Sequence, residues 1–168
     1  LDYTGSVVVP IKFLSLLMTQ LEEECEISVL IGDNHIQIQL EDVIINSRII
    51  KDPYPDYEGV IPKNNTKTLV LNRENFTDAI KRVSIFSNKA SRQVALELSE
   101  NSVTISTEDP ENITTGKETL DCDYNGEPMT IGYNAFYLKE VLQHQSSDEI
   151  KIMLNTPLNA GLFVPIDQ

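Results

Sequence analysis

The side chains best suited to acid–base, nucleophilic or metal chemistry near neutral pH are few in this sequence of 168 residues: two histidines and two cysteines. His35 opens a strand-like run just after a turn, and His144 stands near the end of a helix-like run, so both read as surface residues. Cys25 and Cys122 lie far apart without metal-ligand spacing and read as free thiols of a reducing compartment. Carboxylates are plentiful. Glu22, Glu23 and Glu24 close a helical stretch, however, and Asp121 and Asp123 fall on a strand, where solvated charge is the simplest reading. There is no glycine-rich phosphate loop, no HExxH and no G-x-S-x-G elbow. The residue types therefore point away from an enzyme, and no catalytic residue, metal or cofactor is expected.

Binding is the chemistry that remains. A net charge of −13 argues against a protein that grips nucleic acid with its whole surface, yet it permits a local basic face on an acidic body. With 40% hydrophobic residues the chain can build a core. It has no apolar run near the ~20 residues of a membrane span and nothing resembling a signal peptide, so a cytoplasmic protein without membrane contact is expected.

The elements that would position a binding site are clearest over residues 68–109. LVLN reads as a strand. NRENFTDAIKRVSIFS carries Phe76, Ala79, Ile80 and Val83 on one helical face, and VALEL and VTIST alternate around a turn as a hairpin. The same order recurs. Pro10, Asn72 and Asn134 each stand between a strand and a helix, 62 residues apart, and Leu14, Phe76 and Leu138 repeat at that spacing. So do Leu17, Ala79 and Val141, then Met18, Ile80 and Leu142. A hairpin follows each helix. The pattern predicts a βαβββ unit present three times, in an α+β fold.

For the first copy, VVVP predicts a short strand and IKFLSLLMTQLEE a helix with Leu14, Leu17, Met18 and Leu21 inward. The polar, proline-rich residues 51–67 predict a domain boundary near residues 62–66. Residues 108–118 predict a polar excursion, and Asn125-Gly126 a hairpin turn between TLDCDY and MTIGYN. The third copy stops before a closing strand, so the chain is expected to be the middle of a longer one.

The repeated unit, the phrase DPYPDYEGVIP, SIFSN ahead of VALEL, and MTIGYNAFYLKEVL together resemble the bacterial sliding clamp family, the β subunit of the replicative DNA polymerase III. The likeness covers about residues 6–165. It implies the DNA-clamp fold, with helices on the inner face of a ring and antiparallel sheets outside. Residues 1–62 would be the second half of the middle domain, and residues 63–168 the third domain lacking its closing strands. The implied function is a non-catalytic polymerase processivity factor, formed from two chains joined head to tail. It would encircle duplex DNA without sequence preference and tether the replicative polymerase, the clamp loader and repair proteins through short peptide motifs.

The resemblance also assigns residues. Lys12, Arg73, Lys81, Arg82 and Lys139 are the cations expected to face DNA; Lys12, Lys81, Arg82 and Lys139 lie off the apolar stripes. Ile85, about opposite Phe76 at ~100° per residue, and its neighbour Phe86 would form the ring contact. Pro55, Gly59, Val60, Ser91, Asn134, Tyr137, Leu158 and Ala160 would line the peptide pocket, Val60 and Leu158 as apolar wall and Asn134 and Tyr137 as hydrogen-bonding groups. Two other readings stand beside this one: an α+β peptide-binding module that never touches DNA, and a piece of an enzyme whose site lies outside the chain. A gene much longer than this chain, with a dimeric product, would favour the clamp.

Overall fold

The structure is a computed structural model that describes residues 4–21 and 25–166. The chain divides into two compact units, Leu1–Tyr57 and Glu58–Gln168. The division falls a little before the boundary expected from composition, because the turn Glu58–Val60 belongs with the second unit.

In the first unit, helix α1 (Ile11–Met18) is followed by strands β1 (Ser28–Ile31), β2 (His35–Gln39) and β3 (Ile44–Arg48), which form an antiparallel sheet in the order β1-β2-β3. The expected VVVP strand is reduced to one bridge, in which the Ile50 amide donates to the Val8 carbonyl at 2.8 Å. The helix is shorter than predicted. Thr19 and Gln20 amides turn back to Leu16 and Leu17, and the Thr19 hydroxyl also donates to Leu16, which tightens and ends the last turn. The expected Glu22, Glu23 and Glu24 helix end lies outside the described residues.

The inward stripe of α1 is also corrected. Phe13 is buried and Leu17 and Leu21 pack beside it, whereas Leu14 and Met18 are 45% and 70% exposed. Ile11, Phe13, Leu14, Leu16, Leu17 and Met18 make this helix apolar nearly all round, so periodicity alone does not choose its inner face.

The second unit is built from two βαβββ-like halves that exchange strands. The first half is β4 (Lys67–Asn72), α2 (Arg73–Ser84), β5 (Gln93–Ser99), β6 (Ser102–Asp109) and β7 (Thr114–Asp121). The second is β8 (Asp123–Tyr124), β9 (Met129–Asn134), α3 (Ala135–Gln143), β10 (Glu149–Leu154) and β11 (Leu162–Pro165). The strand that enters each helix pairs with the strand that leaves the other: β4 with β10, and β9 with β5, both antiparallel. Two four-stranded sheets result, β11-β10-β4-β8 and β7-β6-β5-β9.

The helix starts repeat as the spacing predicts. Asn72 caps α2 by accepting the Asn75 amide at 2.9 Å, and Asn134 caps α3 by accepting the Phe136 amide at 2.9 Å. The first helical amides are held in matching fashion. That of Arg73 donates to the carbonyl of Asp148, just before β10, and that of Ala135 to the carbonyl of Arg92, just before β5.

The predicted stripe of α2 is buried in full: Phe76, Ala79 and Ile80 at 0% exposure and Val83 at 3%. Ala135, Leu138 and Leu142 do the same for α3, and alternate residues of β4, β5, β6, β9 and β10 complete one core. Asn125-Gly126 does turn the chain, but not as a hairpin. Asn125 continues the pairing of β4, its side-chain oxygen accepting the Thr68 amide, so β8 and β9 join different sheets. The predicted polar excursion is likewise corrected, since its second half forms most of β7. Inward positions of β7 are Thr114, Gly116, Glu118 and Leu120, which carry almost no hydrophobic signal.

Candidate functional site

The cations singled out by sequence fall into different local settings. Lys12 is exposed on α1 in the first unit. Arg73, at the first position of α2, is half-buried, and its Nε donates to the Ser147 carbonyl at 2.7 Å, tying the helix start to the loop before β10. Lys81 is exposed and meets Asp78 on its own helix at 2.9 Å. Arg82 forms a two-pronged pair with Glu118 of β7, at 2.6 and 3.0 Å. The hydrogen bond from Lys81 holds the Asp78 carboxyl below its ordinary range, and that from Arg82 does the same for Glu118. Lys139 is half-exposed on α3. Lys81 and Arg82 thus each have a carboxylate partner within the chain.

Ile85 is the C-cap of α2 and is 77% exposed, as its position opposite Phe76 predicts. Phe86 is partly covered because its ring lies on β7. A Cβ at Gly116 would stand 2.8 Å from the Phe86 ring and 3.2 Å from the Val83 carbonyl, so any larger residue there would have to displace the ring. The Thr114 hydroxyl donates to the Phe86 carbonyl, joining the start of β7 to the end of α2. Two features of this surface escape sequence reasoning. Ile113, in the turn before β7, is 90% exposed with φ of 52°. And β7 is a sheet edge, eight residues long, with one side unpaired among the described residues. A lone isoleucine in a polar run is the only signal for the first; the second depends on strand order, which local sequence does not encode.

Most of the expected peptide-binding residues belong to the second unit; Pro55 lies at the end of the first. Gly59 and Val60 sit in the 3-10 turn Glu58–Val60, with Val60 77% exposed. Leu158 stands on the connection between β10 and β11 and is 97% exposed. The Ala160 carbonyl accepts from the Asn65 side chain, which also donates to Met153, so this connection is anchored to the segment before β4. Tyr137 is exposed and meets Phe136 edge-on.

Asn134 already uses one donor and one acceptor site within the chain. Its side-chain oxygen caps α3 and its Nδ2 donates to the Ser91 carbonyl at 3.0 Å, so it clamps the loop before β5 to the helix start. Ser91, Gln93, Gly132, Tyr133 and Asn134 line a hollow of about 340 Å3. The Tyr133 hydroxyl is buried and has no hydrogen-bond partner among the described residues, and burial pushes its pKa up to about 12. Gly161, on the β10–β11 connection, packs against that hydroxyl. Within this unit, then, Ser91 and Asn134 border one hollow, and the hydroxyl of Tyr133 meets the connection bearing Leu158 and Ala160.

The fold of the chain is that of a known family. The pattern of the DNA polymerase III beta subunit, C-terminal domain, matches residues 58–166. The chain belongs to that family. Among its relatives, the beta sliding clamp of Salmonella typhimurium is 35% identical over 156 residues, and that of Proteus mirabilis 33% over 157. Each match covers 92% of this chain but 42% of the relative, so the chain spans less than half the length of these DNA polymerase III beta subunits. Solved clamps agree in shape. The DnaN sliding clamp of Pseudomonas aeruginosa bound to griselimycin matches 96% of this chain with a TM-score of 0.81 at 29% identity. That of Bartonella birtlesii, also bound to griselimycin, matches 95% with a TM-score of 0.82 at 30% identity. The two matches cover 44% and 43% of those chains. Among the described residues there is no group of three or more His, Cys, Asp or Glu side chains placed to hold a metal, and no helix long and apolar enough to cross a membrane.

Proposed function

We propose that this chain is part of a ring-shaped sliding clamp, the processivity factor of a replicative DNA polymerase. The observation that carries the reading is agreement in fold with solved clamps over 95–96% of the chain, at 29–30% identity. Residues 1–62 serve as the second half of the middle domain and residues 63–168 as the third. The protein is non-catalytic and cytoplasmic. It works by topology: a closed ring on duplex DNA cannot dissociate without opening, so a polymerase bound to it stays near the template at high effective concentration.

Three surfaces divide the work. Lys12, Arg73, Lys81, Arg82 and Lys139 on the helices face the duplex. Ile85 and Phe86 make the head-to-tail contact between subunits. To them the β7 edge and Ile113 add a strand that can pair with a strand of the neighbour and an apolar cover for it. Val60, Tyr137, Leu158 and the surroundings of Ser91 and Ala160, with Gly59 and Pro55 in the connecting segment, receive short peptides from the polymerase, the clamp loader and repair proteins. Asn134 contributes here by holding the Ser91 loop, with its second N–H left to meet peptide.

The test uses the full-length protein and its loader. It should stay on nicked circular DNA through gel filtration and run off once the circle is linearised. Equal retention on both forms would exclude a topological link.

A further inference from the structure

The cations assigned to DNA from sequence are largely engaged within the chain. Lys81 and Arg82 are paired with carboxylates and Arg73 is tied to Ser147. A different group is not. Between the C-terminal end of α2 and the N-terminal end of α3 lies a hollow of about 330 Å3. Lys89, Arg92 and Lys139 all line it, and among the described residues no aspartate or glutamate does. In a protein of net charge −13, three cations around one hollow without a carboxylate are a local reversal of sign.

The hollow is also held in shape. Arg92 has a left-handed backbone, φ 49°, fixed by two bonds: its amide donates to the Asn88 carbonyl and its carbonyl accepts the Ala135 amide, each at 2.8 Å. The Asn88 side chain accepts the amides of Ala90 and Ser91, which folds the Lys89 loop back on itself. The Arg92 guanidinium is placed 5.6 Å over the Phe136 ring, so a bulky cation is positioned by stacking rather than by a counter-ion. The positive end of α3 points to the same place.

We propose that this hollow binds a backbone phosphate of duplex DNA, with Lys89, Arg92 and Lys139 as the contacting cations. The inference rests on the clamp reading and changes which residues make the contact. Its lining comes from both helices, Ser84 and Ile85 from α2 and Ala135, Phe136 and Lys139 from α3, so it belongs to the helix layer and not to the β7 edge. In the proposed ring the helix layer faces the duplex. Because its cations pair with no carboxylate among the described residues, a phosphate entering here displaces none.

The test is equilibrium binding of the full-length protein to a short duplex of mixed sequence across a salt series. The K89Q/R92Q/K139Q variant is compared with a K151Q variant, whose changed residue lies on strand β10 away from the helices. Removing one phosphate contact lowers the slope of log K against log salt by about 1, and low-salt affinity should fall on the order of tenfold. The first variant is expected to show both changes and the second neither. An unchanged slope in K89Q/R92Q/K139Q overturns the phosphate site while leaving the clamp reading intact. A wild-type protein whose binding is independent of salt overturns the DNA reading itself. If K89Q/R92Q/K139Q instead turns a dimer into a monomer by sedimentation, the hollow receives an acidic group of a neighbouring chain, and the proposal fails.

Discussion

Replacing Tyr133 by Phe should make the protein more stable. The Tyr133 hydroxyl is buried without a partner among the described residues, while its ring packs edge-on against Phe163 at 6.1 Å. A buried hydroxyl that makes no bond costs ~1–3 kcal/mol in lost hydration, and phenylalanine removes that cost while keeping the ring. Because the ring is only half-buried, a gain near the low end, ~1 kcal/mol, is expected, or roughly 2–4 °C in Tm. The pH dependence gives a second, independent number. Burial raises the phenol from 10.0 to about 12. Below about pH 10 the phenol is protonated in both folded and unfolded chains and contributes no slope. Between about pH 10 and 12 the unfolded chain releases a proton that the folded one keeps, so the wild type loses stability over that window and the variant does not. The full shift corresponds to ~2.7 kcal/mol, and partial solvent screening reduces it to ~1–1.5 kcal/mol.

The assay is urea unfolding of wild type and Tyr133→Phe in parallel from about pH 8 to 11.5, where the difference between the two cancels the other tyrosines. A variant less stable than wild type at the low end would show that the hydroxyl has a partner. A difference that stays flat through the alkaline limb would refute the desolvated phenol. Either result would redraw the hollow beside Ser91 and Asn134.

Other perturbations separate position from contact. Asn134→Ala should cost ~1 kcal/mol of cap energy in a thermal melt. Asn134→Asp keeps the cap but loses the bond to Ser91, so it should melt nearly as the wild type yet bind clamp-interacting peptide less tightly by calorimetry; equal binding would remove the clamping role. Gly116→Val should cost ~1–3 kcal/mol, because the Phe86 ring and the Val83 carbonyl occupy the space, and it should also weaken self-association in ultracentrifugation. Ile85→Lys, at a position 77% exposed, should leave the melting temperature of the unit nearly unchanged and shift dimer to monomer; an intact dimer would place the ring contact elsewhere.

The parts of the fold that are legible in the sequence are those fixed by local periodicity and local hydrogen bonding. Phe76, Ala79, Ile80 and Val83 declare the inner face of α2 because Glu74, Asp78, Lys81 and Arg82 supply polar contrast. Asn72 and Asn134 are recognisable at the helix starts because an asparagine side chain can satisfy a helical amide there. On α1 the contrast is missing, and periodicity selects the wrong stripe. At Asn125 the local turn is right and the partner strand wrong, since β8 and β9 find their partners in the distant β4 and β5. The site shows the same division. Exposure of Ile85 follows from helical angle alone. The pairing of Arg82 with Glu118, 36 positions away, does not, and neither does the meeting of Lys89 and Arg92, on the loop after α2, with Lys139 on α3.

The exchange of strands between halves explains why two of the hollows lie at one end of the second unit. Each helix start is seated on the loop that precedes the outgoing strand of the other half, so the unit has two related junctions. At the first, Arg73 opens α2 and sends its guanidinium to the Ser147 carbonyl, while the Ser147 hydroxyl closes on Glu149. That junction is filled by its own side chains. At the second, the residue in the place of Arg73 is Ala135, which is buried and too short to reach across. The Lys89–Arg92 loop beside it is held by Asn134 through Ser91 and by Ala135 through Arg92. The peptide-side hollow with Tyr133 and the cation-lined hollow with Lys139 both border this loop. A single small residue at one of two equivalent positions thus accompanies the difference between a joint filled by its own side chains and one bordered by two hollows.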